Sequence, residues 1–199
     1  MSHINYAFAH IGEDHRISVG DETDENNPSI GMTWPEHPDV KMDQTLPYKG
    51  HFNLIHQYKE KYPNVKVLAA VGGWAETGGY VDKDGKRIPS GGFYSMTTNG
   101  DGTVNHKGIH TFAESVVAFL RKYEIDGIDI DYEYPTSMQD AGNPADWNIA
   151  NPRRNGLNKS FEVLMKILRE KLDQASAEDG KYYMLTIACL LYTSPSPRD

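Results

Sequence analysis

The segment from residue 126 to residue 135, which reads DGIDIDYEYP, constrains the fold more than any other part of the chain. Within it, three carboxylates alternate with three large apolar residues: Asp129, Asp131 and Glu133 with Ile128, Ile130 and Tyr132. Successive side chains of a β-strand point to opposite faces, so this alternation predicts one acidic face and one apolar face. Neighbouring carboxylates on the acidic face then lie about 6–7 Å apart along the strand, close enough for their titrations to be coupled.

Strand patterns and helix patterns alternate along the rest of the chain. Apolar runs and helical spacing predict these elements in order: a strand at 3–11, a helix at 50–62, a strand at 65–71, a helix at 107–123, the acidic strand, a helix at 158–174 and a strand at 181–188. This order is typical of an α/β fold with parallel strands and right-handed crossovers. Long polar segments at 12–49, at 75–106 and after Pro135 follow the carboxyl ends of strands, where such folds hold their active sites.

Two interpretations of the acidic strand remain open at this point. In an antiparallel sheet it would be a half-exposed strand with a solvated acidic face. In a parallel α/β fold both faces of the strand are covered, and three like charges on a covered face cost several kcal/mol unless they bind a ligand or perform chemistry. The alternation of strands and helices favours the second interpretation, which makes this an active-site strand.

Composition and missing motifs exclude several functional classes. The chain carries 20 basic and 28 acidic residues, and its net charge of −8 argues against a nucleic-acid partner. It has no Gly-rich nucleotide loop, no Gly-x-Ser-x-Gly elbow and no histidine pair spaced for zinc. The segments 82–86 and 99–102 begin like calcium loops but lack the final acidic ligand, so we predict two hairpin turns there. We expect no metal, no cofactor, no membrane span and no signal peptide in this chain.

Two motifs resemble glycoside hydrolase family 18, the family of chitinases and related endo-N-acetylglucosaminidases. The stretch from residue 126 to residue 133 matches the family's Asp-x-x-Asp-x-Asp-x-Glu signature in full, and AVGGW at 70–74 is similar to its Ser-x-Gly-Gly strand end. HINYAFA at 3–9 and LTIA at 185–188 resemble two further strands of that family. The resemblance implies an eight-stranded (β/α) barrel of which this chain holds about strands two to five.

The resemblance also implies a role for each acid. Glu133 is expected to be the general acid that protonates the glycosidic oxygen. Asp131 is expected to orient the N-acetyl group of the substrate, whose carbonyl oxygen is the nucleophile, and Asp129 shares charge and a proton with Asp131. Two adjacent carboxylates cannot both ionise cheaply, which agrees with this assignment.

Further residues are expected to bind the sugar or to support the motif. The expected substrate-binding residues are Phe8, Trp74, Gly72, Gly73, Tyr134 and Tyr6, and Asp126 is expected to be structural. Five aromatic residues in the loops are weaker candidates, for which packing is the competing explanation: Trp34, Tyr80, Phe93, Tyr94 and Trp147.

The expected function is retaining, substrate-assisted hydrolysis of β-1,4-linked N-acetylglucosamine in chitin or its oligosaccharides. The alternatives are a chitinase-like lectin, which usually lacks the acid found here at Glu133, and an endo-β-N-acetylglucosaminidase acting on glycans. A metal-dependent Asp-x-Asp phosphotransferase would need a phosphate cradle, which is absent beside Asp131. We expect residues 1–188 to be part of a catalytic barrel and 189–199 to be a tail unrelated to the family. The chain alone is expected to be inactive, and the full-length parent to be secreted.

Overall fold

A five-stranded sheet, mostly parallel, carries the acidic segment near its centre. The computed structural model describes residues 1–188. The elements are β1 (His3–Ile11), β2 (Ile17–Ser18), α1 (Gly50–Lys61), β3 (Lys66–Gly72), α2 (Gly73–Glu76), β4 (Tyr80–Val81), β5 (Arg87–Ile88), α3 (Gly92–Thr97), α4 (His106–Lys122), β6 (Gly127–Asp131), a 3-10 turn (Pro144–Asp146), α5 (Trp147–Asp179) and β7 (Met184–Ile187). Among the helices formed by residues 1–188, none combines the length and apolar character needed to cross a membrane.

The strand order in the main sheet is β2-β1-β3-β6-β7. β1, β3, β6 and β7 are parallel neighbours, and the short β2 pairs antiparallel with β1 at the edge. This confirms the parallel α/β arrangement that the alternation of strand and helix patterns predicts. In the register between β3 and β6, Gly72 pairs with Asp131 and Ala70 with Asp129, so the Gly-Gly motif and the acidic motif end side by side.

The apolar face of β6 is the centre of the hydrophobic core. Ile128, Ile130 and Tyr132 are each fully buried, as the period-two pattern predicts. They pack within one cluster against the buried faces of α4 and α5. The opposite face of the sheet lines a pocket of about 450 Å³, whose walls include Asn5 and Asp129.

The loops contain more regular structure than the sequence patterns indicate. The segment 75–106 holds the β4–β5 hairpin and α3, and both predicted turns are confirmed. Asp82 N–H donates to Lys86 O at 2.9 Å in the first turn, and Asn99 N–H donates to Thr103 O at 2.8 Å in the second.

The last helix differs most from its predicted bounds. The apolar spacing predicts a start at residue 158, but the helix begins at Trp147, directly after the 3-10 turn. Pro152 lies in its second turn, where the missing N–H removes one main-chain hydrogen bond. Arg153, the next residue, donates from its guanidinium to Ile149 O and Thr98 O, both at 3.0 Å. The predicted tail at 189–199 lies outside the described residues.

Candidate active site

The acidic row begins inside β6 with Asp129, which is 5% exposed. Thr186 lies directly opposite on β7 and donates its hydroxyl to Asp129 Oδ1 at 2.6 Å. Asn5 on β1 donates its amide to Asp129 Oδ2 at 2.8 Å. Each carboxylate oxygen thus has a donor from a different strand, and these hydrogen bonds stabilise a negative charge on Asp129.

Asp131 has a different environment at the last position of β6. It is half-buried, and its Oδ1 atom has no hydrogen-bond partner among residues 1–188. Burial raises the pKa of Asp131 to about 7, with further contributions from the charges of Asp129 and Glu133 and from a hydrogen bond shared with Asp129. Asp131 therefore holds a proton at mildly acidic pH, as expected for two carboxylates forced together on one strand face.

Glu133 follows two residues after the end of the strand and is half-buried. Its main chain is held by hydroxyl groups from the α2–α3 region that no sequence motif singles out as partners of the acid. Thr77 Oγ1 accepts from Glu133 N–H at 3.0 Å, and Tyr94 O–H donates to Glu133 O at 3.2 Å. Hydroxyl residues in a loop of mixed composition give no periodic signal that could have identified them.

The two glycines of the AVGGW motif allow close approach around the acids. Gly72 has a φ of 93°, and a Cβ there would lie 2.6 Å from Phe93 Cε2 and 2.8 Å from Asp131 O. Gly73 has a φ of 68°, and a Cβ there would lie 3.1 Å from the ring of Phe8. Both backbone conformations favour glycine. At both positions a side chain would collide with a neighbouring residue, Phe93 and Asp131 at Gly72 and Phe8 at Gly73.

Two aromatic rings are presented to solvent at this end of the sheet. Phe8, on β1, and Trp74, on α2, are each 50% exposed, although rings of this size are usually well covered. Phe8 lies against Gly73, the residue before Trp74. The structure therefore brings both predicted sugar-binding aromatics to the same glycine turn that borders Asp131.

Tyr6 is not placed with these residues. Its ring packs edge-on against Phe52 of α1 at 4.9 Å, and its hydroxyl bonds to Ser29 and to His51. Burial raises the pKa of this phenol. The position corrects the expectation that Tyr6 touches the sugar: it faces the helix layer, opposite to Asn5. Phe8 does not face the helix layer, because the β1–β3 register shifts between residues 6 and 9.

Tyr134 and Asp126 flank the acidic row. Tyr134 is half-buried next to Glu133, and its N–H donates to Tyr94 Oη at 3.1 Å. Asp126 is 7% exposed at the start of β6 and accepts from Val67 N–H and from Lys59 Nζ, both at 2.8 Å. It joins β6 to β3 and α1, which is the arrangement expected of a structural residue.

The weaker aromatic candidates are mainly packing residues. Phe93 and Tyr94 are fully buried, and Phe93 stacks on Tyr132 with ring centres 4.7 Å apart. Tyr80 stacks on His10 and Trp34 on His51, each half-buried, and Trp147 is also half-buried.

Comparisons with known proteins agree with this geometry. The model of the family "Glycosyl hydrolases family 18" matches residues 1–192. Chitinase A1 of Niallia circulans is 32% identical over 173 residues, which cover 86% of this chain and 20% of that protein. Chitinase A of Pseudoalteromonas piscicida is 32% identical over 148 residues, covering 74% of this chain and 15% of the relative.

A solved structure resembles the chain more strongly. The crystal structure of a family GH18 chitinase from Chromobacterium violaceum is 60% identical and superposes with a TM-score of 0.91, covering 94% of this chain and 27% of that one. The chain thus spans between 15% and 27% of the length of these relatives. Its five-stranded sheet is part of the (β/α) barrel typical of them. The chain belongs to glycosyl hydrolases family 18.

Proposed function

We propose that this chain supplies catalytic residues of a chitinase, which hydrolyses β-1,4 linkages between N-acetylglucosamine units. The observation that carries the proposal is the different state of neighbouring carboxyls: Asp129 receives two hydrogen bonds, whereas the pKa of Asp131 is raised to about 7 mainly by burial. Pairs of acids whose environments separate their protonation states are typical of acid–base sites. The chitinases among its relatives support the choice of substrate.

The proposed mechanism uses the acetamido group of the substrate as nucleophile. Glu133 donates a proton to the glycosidic oxygen while the acetamido carbonyl oxygen attacks the anomeric carbon and displaces the leaving sugar. Asp131 passes the proton that it holds to Asp129, and the resulting Asp131 carboxylate stabilises the positive charge that develops on the ring-closed intermediate. Water then opens the ring with Glu133 as base, so the product retains its configuration. Substrate assistance is a recognised alternative to the scheme with two catalytic carboxylates.

The exposed rings support binding of a sugar chain. Phe8 and Trp74 offer apolar faces on which pyranose rings can pack, and both border the turn at Gly73. Chitin is too large to enter a cell, so we place the activity of the full-length protein outside the cell.

Glu133→Gln in the full-length protein tests the proposal. The amide keeps the shape of the side chain but cannot donate the proton, so we expect kcat on N-acetylglucosamine oligomers to fall by about 10²–10⁴-fold with binding retained. Calorimetric titration of the variant with an oligomer provides the control for binding. Parallel loss of affinity and kcat would contradict the role of Glu133 as acid.

Product analysis tests the nucleophile. Acetylated oligomers should give the β-anomer first in NMR, and fully deacetylated oligomers should not be cleaved, because they lack the intramolecular nucleophile. Comparable rates on both substrates, or an inverted product, would refute substrate assistance. Binding of oligomers by the wild type without any cleavage would instead indicate a sugar-binding protein, the lectin alternative. Cleavage confined to the chitobiose core of N-glycans would indicate the endo-β-N-acetylglucosaminidase.

A further inference from the structure

We propose that the hydroxyl groups of Thr77 and Tyr94 are positioning groups that fix the main chain of Glu133 for proton donation. This inference rests on the proposed function, because it assigns the two hydroxyls to the acid of that reaction. Strand β6 ends at Asp131, which pairs with Gly72 of β3. Glu133 therefore lies beyond the sheet ladder, and its backbone needs other partners.

Thr77 supplies the first of these partners. Its side chain is fully buried at the end of α2. Oγ1 accepts from Glu133 N–H at 3.0 Å and has one proton to donate, which reaches Gly73 O at 2.9 Å; Asp131 O lies further away at 3.3 Å. One hydroxyl thus joins the acid to the first residue of the helix that carries Trp74.

Tyr94 supplies the second partner from α3. It is fully buried, and its hydroxyl uses both hydrogen-bonding directions on one peptide unit: it donates to Glu133 O at 3.2 Å and accepts from Tyr134 N–H at 3.1 Å. Gly142 closes the other side, where a Cβ would lie 2.5 Å from Glu133 O. The N–H and C=O of Glu133 are therefore both held by side-chain hydroxyls from two different helices.

This arrangement matters because proton donation depends on position. A general acid acts only within hydrogen-bonding reach of the leaving oxygen, and a misplacement of about 1 Å can cost about 10²-fold in rate. A purely structural role would be to terminate β6, and it would affect all reactions of the enzyme alike. The two roles differ in one measurable respect. Only the positioning role predicts a larger loss of rate for a leaving group that must be protonated than for one that departs without a proton.

The experiment compares two substrates in the full-length protein. An N-acetylglucosamine oligomer has a poor leaving group that requires the proton, whereas a 2,4-dinitrophenyl glycoside of the disaccharide has a leaving group that departs without it. We measure kcat/KM, which reports on the bond-breaking step. For Thr77→Val and Tyr94→Phe we expect a loss of about 10-fold to 100-fold on the oligomer and less than about 3-fold on the aryl glycoside. Thr77→Ser, which keeps the hydroxyl, should restore the oligomer rate.

Matched controls remove a hydroxyl of the same kind elsewhere. Ser115 is buried on α4, accepts from Ile17 N–H at 3.0 Å and donates to Phe112 O at 2.7 Å; Tyr183 is 1% exposed and donates to Asp179 at 2.8 Å. Ser115→Ala and Tyr183→Phe should leave the ratio of the two rates unchanged. Because the ratio is taken within one preparation, it does not depend on how much of a variant folds.

The outcomes separate the two proposals. Equal losses on both substrates, or ratios equal to those of the controls, would overturn the positioning role while leaving the proposed function intact. A wild-type protein that cleaves neither substrate would refute the proposed function and the positioning role with it.

Discussion

Replacing Asp131 with asparagine should change the pH dependence of stability. The pKa of Asp131 is about 7 in the folded protein against an ordinary value of 3.8, with burial as the main cause. Between these values the folded state binds more protons than the unfolded state, so the free energy of unfolding decreases as pH rises. The stabilisation from this group is complete below about pH 4 and is lost as pH passes through about 7. The amide introduced by Asp131→Asn does not titrate, so the variant should not show this loss.

The magnitude follows from the two pKa values and from the exposure of Asp131. A tenfold change in acid dissociation corresponds to about 1.4 kcal/mol, so the difference between about 7 and 3.8 would amount to about 4 kcal/mol for a fully shielded carboxyl. Because Asp131 is only half-buried, solvent screening reduces the expected contribution to about 1–2 kcal/mol. The wild type should therefore lose about 1–2 kcal/mol relative to the variant between about pH 4.5 and about pH 8.

Urea unfolding of both proteins at these two pH values measures the difference. Asp101→Asn is the control, because the hydroxyl and N–H of Thr103 lower the pKa of the exposed Asp101, which stays ionised in both states over this range. The difference in the free energy of unfolding between Asp101→Asn and the wild type should be the same at both pH values. An equal pH dependence for the wild type and Asp131→Asn would show that the carboxyl pair does not retain a proton, and would refute the division of charge between Asp129 and Asp131.

Two substitutions test how the site is built. Gly72→Ala should destabilise the protein by about 2–4 kcal/mol, because φ is 93° and the new Cβ would lie 2.6 Å from the ring of Phe93; unchanged urea unfolding would contradict the close packing. Asp146→Asn should cost about 3 kcal/mol, since Asp146 is fully buried and pairs with Arg87, whose guanidinium also donates to Ala75 O beside Trp74. The variant should also bind oligomers more weakly in calorimetry, whereas loss of stability with unchanged affinity would separate the ion pair from the placement of Trp74.

The parts of the fold that follow from a periodic or local sequence pattern were predictable. Period-two alternation places Ile128 and Ile130 in the core and Asp129 on the other face, because the pleat of a strand admits no other arrangement. The Asp-Gly and Asn-Gly turns are equally local, since each closes within five consecutive residues. The start of α5 at Trp147 was not predictable in this way. Pro152 argues against helix by propensity, and the contacts that accompany the helix there, such as those of Arg153 with Thr98 O and the burial of Ala150, are tertiary or side-chain contacts that periodicity does not show.

Site residues that depend on a single irregularity were predicted less well. Tyr6 and Phe8 are two residues apart, so regular alternation would place both on the same face. The register shift in β1 separates them and leaves Tyr6 against α1 while Phe8 reaches solvent. The sequence did not predict the contact of Thr77 and Tyr94 with Glu133, although Tyr94 was a weaker candidate for sugar binding, and the reason is different. Their role consists of hydrogen bonds to the backbone of Glu133, and a backbone partner leaves no mark on the sequence around either residue.

The three carboxylates share one strand face, yet the structure reduces their mutual repulsion in three different ways. Asp129 accepts hydrogen bonds from Asn5 and Thr186 on two other strands. Asp131 has a half-buried position and a raised pKa, so it retains a proton at mildly acidic pH. Glu133 lies past the end of the ladder, where its side chain is partly exposed and its main chain is held by Thr77 and Tyr94. The side chain that must reach a substrate is thus the one whose own atoms are least constrained by the sheet. This division of environments, more than the number of acids, is what makes one strand suitable for proton transfer.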